Sequence, residues 1–300
     1  MKPFGLSLLL LLCILLPARA STQAEDAVRQ MPMVHEALAA RDATVKVHLV
    51  SARGYLNGKP GDAAGLARLH AEVQACVQRN SERGIASKPP HAWPEHVISM
   101  RLDTYAAVNR SIVYAAGLSY AIDPRDCSLM EARTSKASLS SSLGTCEVDL
   151  LAKTAHGHCD ATGQARAAPP RRQPPMTAAQ KADIVRLAAG SPAMAAFAAA
   201  MQAHPQADMG ERKVILGLEC EVRPNPLDPE GKNCVSRGGS FSSLDAIGEA
   251  GMSGMTLEMS SSNGIELRAT QAMLDTLVPN AVFAPYLEGG FRITRPENRP

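Results

Sequence analysis

The chain has 300 residues with 31 Lys and Arg against 29 Asp and Glu, giving a formal net charge of +2. This near balance excludes the basic surface that is typical of nucleic-acid-binding proteins and electrostatic docking on anionic lipid. Aromatic residues make up 4% of the chain, which argues against a carbohydrate-binding protein that stacks sugars on aromatic rings.

The first twenty residues have the pattern of a cleaved secretory signal peptide. Lys2 supplies the positive start, residues 8–16 are apolar, and residues 17–20 end in a small-x-small cleavage pattern. The apolar run is shorter than the ~20 residues that cross a bilayer. We therefore expect residues 1–20 to be removed, a mature chain without a transmembrane segment, and a periplasmic or extracellular location.

The mature chain keeps an even number of cysteines, which in an exported protein predicts three disulfides. They are Cys76, Cys127, Cys146, Cys159, Cys220 and Cys234. Cys220 and Cys234 are the predicted pair of the C-terminal half. Among the other four, local pairing joins Cys146 to Cys159 and leaves Cys76 for Cys127, while the rival scheme joins Cys127 to Cys146 and Cys76 to Cys159. The sequence leaves both schemes open.

The N-terminal half begins with helical and strand-like patterns. Apolar spacing predicts a helix over residues 24–42, interrupted at Pro32, and alternation predicts a strand over residues 44–50. An amphipathic helix follows over residues 62–83, with Cys76 on its buried face. Further strand-like segments are 97–102, 111–114, 118–122, 127–132 and 145–151.

The C-terminal half begins with two short helices over residues 177–203. Residues 215–222 then predict an apolar strand, followed by a loop and a return strand that carries Cys234. Two alternating segments, 255–259 and 265–269, flank Asn263-Gly264 and predict a second hairpin with a turn of positive φ.

The predicted fold class is therefore α+β, with antiparallel sheets and packed helices stapled by disulfides. After the signal peptide (1–20) we expect an N-terminal α+β region with four cysteines (21–163). Next comes a Pro/Arg-rich linker (164–176), whose composition cannot build a core. The C-terminal region (177–300) contains helices and antiparallel sheet.

Two clusters are candidate sites. His156 and His158, beside Cys159, offer imidazole ligands for zinc or copper, although a cysteine held in a disulfide cannot bind a metal and no zinc spacing motif is present. Gly117-Leu118-Ser119-Tyr120-Ala121 resembles a nucleophile elbow, but an elbow needs a helix after the serine, and the chain continues in an extended pattern. We assign no catalytic residue and no cofactor.

The second half also resembles the periplasmic lipoprotein-carrier proteins. The resemblance covers residues 177–293 and is carried by Gly217-x-x-Cys220, Cys234, Gly238-Gly239, the long hairpin and Phe283-x-Pro285-Tyr286. The helix-rich leader and the extra cysteines depart from that family. The resemblance implies a curved antiparallel sheet with helices across its concave face and an apolar ligand, such as a lipid, between them.

Three functions follow as hypotheses. The leading one is an exported cell-envelope protein that binds an apolar small molecule or an envelope protein and catalyses nothing. The second is a secreted hydrolase that uses a serine or a metal site. The third is a structural or secretion-accessory protein without a ligand.

Overall fold

A computed structural model describes residues 20–38, 43–56, 60–108, 110–141, 144–159, 211–225, 228–236, 254–262 and 264–294. Within these residues the helices are α1 (Ala20–Arg29), α2 (Val34–Ala37) and α3 (Pro60–Glu82). The strands, in chain order, are β1 (Thr44–Leu56), β2 (Ile98–Ala107), β3 (Arg110–Ile122), β4 (Leu129–Ser141), β5 (Gly144–Asp149), β6 (Thr154–Gly157), β7 (Arg212–Ile215), β8 (Leu218–Asn225), β9 (Asp228–Ser236), β10 (Thr256–Ser260), β11 (Ile265–Pro279) and β12 (Arg292–Thr294).

All twelve strands lie in one sheet, in the order β12-β6-β5-β4-β3-β2-β1-β11-β10-β9-β8-β7. Strands β1 to β6 form one antiparallel meander and β7 to β11 form a second. The two meanders join where β1 pairs with β11. The chain then crosses back, and β12 pairs in parallel with β6 at the far edge.

The predicted α+β class with separate antiparallel sheets is wrong, because one mixed sheet runs through both halves of the chain. The prediction failed at β1. Val47–Ala52 are buried without a break, as expected of a central strand with packing on both faces. Alternation within a strand identifies the strand but not its neighbours, so the pairing of β1 with β11 could not be anticipated.

The main core lies on the face of the sheet that carries Leu49, Tyr105 and Ile112. Met33 and Leu38 from the α2 region and the segment after β11 cover this face. That segment contains two 3₁₀ turns, Asn280–Phe283 and Pro285–Leu287. A smaller apolar cluster around Leu257, Cys220 and Cys234 packs in the C-terminal meander.

Three disulfides are present, so the predicted stapling of the fold is confirmed. Local pairing is the scheme that the chain adopts, with Cys76 bonded to Cys127 and Cys146 to Cys159. The first of these ties α3 to the loop between β3 and β4, and the second joins Cys146 of β5 to Cys159, two positions after the end of β6. Cys220–Cys234 bridges β8 and β9.

Several predicted features lie outside the described residues: residues 1–19 of the signal peptide, the 164–176 linker, the helices over 177–203 and Gly238-Gly239. Among the helices that the structure does describe, none is both long and apolar enough to cross a membrane.

Candidate functional site

The serine of the elbow-like motif lies within a strand. Ser119 is on β3 and pairs with Ile98 of β2 on one side and Ala132 of β4 on the other. Strand β3 continues to Ile122, so no strand-to-helix turn lifts this hydroxyl above the sheet as an elbow would.

The predicted metal ligands His156 and His158 are both exposed. His156 is on β6, and the His158 ring lies against Gly144. Their neighbour Cys159 is bonded to Cys146 and cannot bind a metal as a thiolate. Among the described residues, the one group of three potential ligands lies elsewhere, at Glu25, Glu95 and His96.

Polar residues that the sequence analysis did not single out collect beneath α1, the helix that contacts β2 and β3. Glu25 and Arg29 are four residues apart, so they project from the same face of this helix. The Glu25 side chain is fully buried, at 0% exposure. It accepts hydrogen bonds from His96, at 2.9 Å from Nδ1 to Oε2 and 3.4 Å from the backbone N to Oε1.

Tyr55 of β1 contacts Arg29 directly and Glu25 indirectly, through His96. Its ring stacks on the His96 imidazole with centroids 4.2 Å apart and an interplanar angle of 27°. Arg29 Nη1 donates to its hydroxyl at 3.3 Å, and Arg29 also pairs with Asp26 at 2.5 Å. Burial alone would lower the pKa of Arg29, but the bond with Tyr55 and the nearby carboxylates raise it, so the guanidinium stays charged.

A row of arginines crosses the sheet beside this group. Arg101 of β2 lies opposite Arg53 of β1, and Arg53 lies opposite Arg268 of β11. Directly opposed residues of antiparallel strands share one face, so three guanidinium groups stand side by side at the centre of the sheet. Like charges placed this way repel one another, and the arrangement needs compensating negative charge.

Only part of that charge is compensated by described residues. Asp103 accepts hydrogen bonds from Arg101 Nε at 3.0 Å and from Ser51 Oγ at 2.6 Å. Arg268 is exposed and lies opposite Glu258 of β10, whose carboxylate pairs with Lys213. Among the described residues, no ion pair joins a carboxylate to Arg53. Four polar atoms of this region are buried with no hydrogen-bond partner within the described chain: Arg29 Nε, Arg53 Nε, Arg101 Nη1 and Ser99 Oγ.

A cavity of about 570 Å³ opens between α1 and the strands β1 and β11, and we call it the α1 cavity. Its lining contains three guanidinium groups and one carboxylate. The lining residues are Asp26, Arg29, Gln30, Arg53, Tyr55, Arg268, Ala269 and Thr270. The α1 cavity is therefore electropositive, and its walls offer donors.

A second cavity, of about 650 Å³, lies between the Pro-rich loop of residues 87–94 and the start of β4. Its charged lining residues, Lys88 and Glu131, have opposite signs. This cavity therefore has no comparable electrostatic preference.

The sequence contains one sign of the arginine row, on the strand predicted over residues 97–102. Its strand-like pattern rests on the apolar residues Ile98, Met100 and Leu102. In the structure those positions are only partly buried, and the intervening Ser99, Arg101 and Asp103 are buried. Arg101 and Asp103, two opposite charges two positions apart on one face of the strand, are the available indication.

Comparisons with known proteins assign no family to the chain. No family model and no curated protein matches it. A solved structure of PNGF-II is similar, with a TM-score of 0.29 and 9% identity, over 85% of this chain and 31% of that chain. The chain thus spans less than a third of that protein's length, and at this TM-score no shared fold or function is established.

Proposed function

We propose that the chain is an exported, non-enzymatic binding protein that holds a small anionic ligand in the α1 cavity. The observation that carries this proposal is Arg53, which lines the cavity beside Arg29 and Arg268 and forms no ion pair with a carboxylate among the described residues.

Export is supported by covalent chemistry and by the N-terminal pattern. Three disulfides are typical of proteins from oxidising compartments and are rare in the cytosol. Residues 1–20 have the pattern of a cleaved signal peptide. Both observations favour a periplasmic or extracellular location.

The ligand chemistry follows from the geometry of guanidinium. Its planar fork of donors matches the two oxygens of a carboxylate or phosphate, so arginine binds these groups in bidentate fashion. A buried donor without a partner raises the free energy of the empty protein, and the Nε of Arg53 is such a donor within the described chain. An anion at the cavity floor would supply that partner.

The lining favours binding over catalysis. The cavity walls contribute cations, the phenol of Tyr55 and the small side chains of Ala269 and Thr270. They also favour a polar ligand over the apolar one that the lipoprotein-carrier resemblance implies. That resemblance, like an envelope-protein partner, stays a prediction.

Calorimetric titration tests the proposal. We expect the purified mature chain to bind one equivalent of inorganic phosphate or of a small dicarboxylate, with an affinity that falls as salt rises. Arg53→Met keeps the apolar stem and removes the charge, and it should weaken binding by about tenfold or more, since hydrogen bonds to charged groups contribute ~1.5–3 kcal/mol.

The matched control is Arg133→Met. Arg133 is an exposed β4 residue that pairs with Glu131, far from the cavity lining in sequence and register. The control should bind the anion as the unmodified chain does. Absence of any titratable anion, or equal affinity in the two variants with unchanged thermal unfolding, would refute the proposal.

A further inference from the structure

We infer that Glu25, Glu95 and His96 form a binding site for a divalent transition-metal ion, with zinc as the best match. The three residues each offer one ligand atom, and these atoms lie within 4.8 Å of one another. The site is separate from the α1 cavity, and the inference does not depend on the proposed anion binding.

The spacing of the ligand atoms fits a shared ion. His96 Nδ1 and Glu25 Oε2 are 2.9 Å apart. Two atoms that bind one zinc ion at ~2.1 Å and at the tetrahedral angle lie ~3.4 Å from each other. This pair would therefore separate by about half an ångström, and a ligand atom at the full 4.8 Å would move closer. An ion could therefore replace the proton between these two atoms without a large movement of either side chain.

Burial gives Glu25 a reason to hold a cation. Its side chain is 0% exposed, and within the described chain its hydrogen bonds come from one residue, His96. A buried carboxylate is costly unless it is paired or coordinates a metal. Glu95, the second carboxylate of the group, is exposed, so it can approach a bound ion from the solvent side.

Ser99 is a second, independent indication. It is 1% exposed, and its hydroxyl has no hydrogen-bond partner among the described residues. Register places it opposite Tyr55, whose ring stacks on His96. A buried hydroxyl without a partner, on the sheet face that carries this group, provides a further oxygen for the ion or for a water bound to it.

The ligand types select the class of ion. Imidazole suits zinc, iron, nickel and copper(II), whereas calcium and magnesium prefer sites made only of oxygen. The bound ion would tie α1 to the segment that leads into β2, so metal binding should stabilise the placement of α1 on the sheet.

The test is zinc binding by the full mature chain. After chelator treatment and dialysis, we expect one zinc per chain by elemental analysis and a rise in the midpoint of thermal unfolding when zinc is added. Glu95→Gln changes an exposed side chain, so it should leave the fold intact and weaken zinc binding by more than about tenfold, the loss that even outer residues of a metal site produce. His96→Gln should remove the zinc.

His91→Gln is the matched control, because His91 is an exposed histidine of the same loop, and it should retain full zinc binding. Three outcomes would overturn the inference. They are less than one zinc per chain, equal zinc affinity in Glu95→Gln and the control, and loss of zinc in His156→Gln in place of His96→Gln. Calcium binding as tight as zinc would overturn the role of the imidazole. Phosphate titration of Glu95→Gln should be unchanged, which separates this result from the anion proposal.

Discussion

Gly54 lies at the junction of the two meanders, where the strands leave no room for a side chain. It is on β1, opposite Leu267 of β11. A Cβ built on Gly54 would lie 2.4 Å from Leu267 Cδ2 and 2.5 Å from the backbone oxygen of Glu266. The side chain of Leu267 can rotate away, but the carbonyl is held in the sheet, so β1 and β11 can approach this closely only with glycine here.

Gly54→Ala should destabilise the protein by ~1–3 kcal/mol, the usual cost of forcing extra volume into a packed region. The measurement is the urea midpoint of unfolding at constant m-value. Gly289→Ala is the control, because nothing lies within 4 Å of the Cβ it would add. Equal midpoints for the two variants would show that β1 and β11 can move apart to accept the added methyl group without a loss of stability.

His48 makes the stability of the fold depend on pH. Burial lowers the pKa of His48 from its ordinary value of 6.5, and Lys46 lowers it further, while Asp275 acts in the opposite direction. His48 Nδ1 accepts a hydrogen bond from the backbone N–H of Asp275 at 3.1 Å, a bond that protonation of Nδ1 would break.

The unfolded chain binds a proton at His48 at a higher pH than the folded chain does. The contribution of His48 to the free energy of unfolding is therefore complete above pH ~6.5, the unfolded pKa. It is lost as the pH falls from there through the folded-state pKa. We expect the free energy of unfolding to decline over this range, and His48→Gln to flatten the decline. His91→Gln, a change at an exposed histidine, should keep the slope. An unaltered slope in His48→Gln would assign the pH dependence to other groups.

At this scale the sequence predicted the cysteine chemistry better than the polar site. The cysteine count predicted three disulfides and the Cys220–Cys234 pair, but it left two pairing schemes open for the other four cysteines, which the structure resolves. The arginine row was missed because it needs the register of three strands, β2, β1 and β11, two of which come from opposite ends of the chain. Glu25 was missed for a similar reason, since its burial depends on where α1 packs.

At the scale of elements, a disulfide and a hydrogen bond fix the C-terminal end of α3. Cys76 on α3 bonds to Cys127 across a separation of 51 residues. Asn80, one turn further along, donates from Nδ2 to the backbone oxygen of Arg125 at 3.2 Å. Both contacts reach the loop between β3 and β4, so the helix is fixed at its C-terminal end.

Replacing Cys76 and Cys127 together by Ala should lower the free energy of unfolding by ~4 kcal/mol in the chain-entropy account of a loop this long. It should also expose α3 to proteases before the sheet is cleaved. Chemical denaturation and timed proteolysis with mass mapping measure the two effects. The Cys220→Ala, Cys234→Ala pair is the comparison: its shorter loop predicts ~3 kcal/mol, with α3 still protected. Cleavage in the sheet before α3 would contradict this picture.

Alternation and apolar spacing predicted where elements occur but not how far they extend. The strand predicted over 44–50 continues to Leu56, and those predicted over 111–114 and 118–122 are the single strand β3. The residues that join them, such as Ala115–Gly117, carry little apolar pattern and are kept extended by their ladder partners in β2 and β4. Tertiary pairing therefore decided strand length.

At the scale of the whole molecule, the N-terminal meander depends on the end of the chain for its core. Val282, Phe283 and Tyr286 are buried against strands of that meander. Tyr114 of β3 donates a hydrogen bond to the backbone oxygen of Val282. The predicted regions 21–163 and 177–300 thus contribute strands to one sheet and side chains to one core.

Residues 21–163 expressed alone should therefore fail to form a cooperative fold, because β1 loses β11 and the core loses its C-terminal cover. Amide proton dispersion and the presence or absence of a cooperative urea transition measure this. Adding residues 177–300 as a separate chain should restore the transition, which distinguishes missing contacts from a damaged fragment. A fragment that unfolds cooperatively by itself would show that the meander is an autonomous domain.

The pairing of β1 with β11 also sets the order in which the molecule can assemble. His48 and Asp275, which meet across this pair, are 227 positions apart, and contacts between such distant parts of a chain form slowly because loop closure precedes any gain. During synthesis, β1 leaves the ribosome long before its neighbour exists, and its open edge is a template for pairing with other chains. A nascent chain of this design is therefore open to mispairing at the β1 edge until β11 has been synthesised.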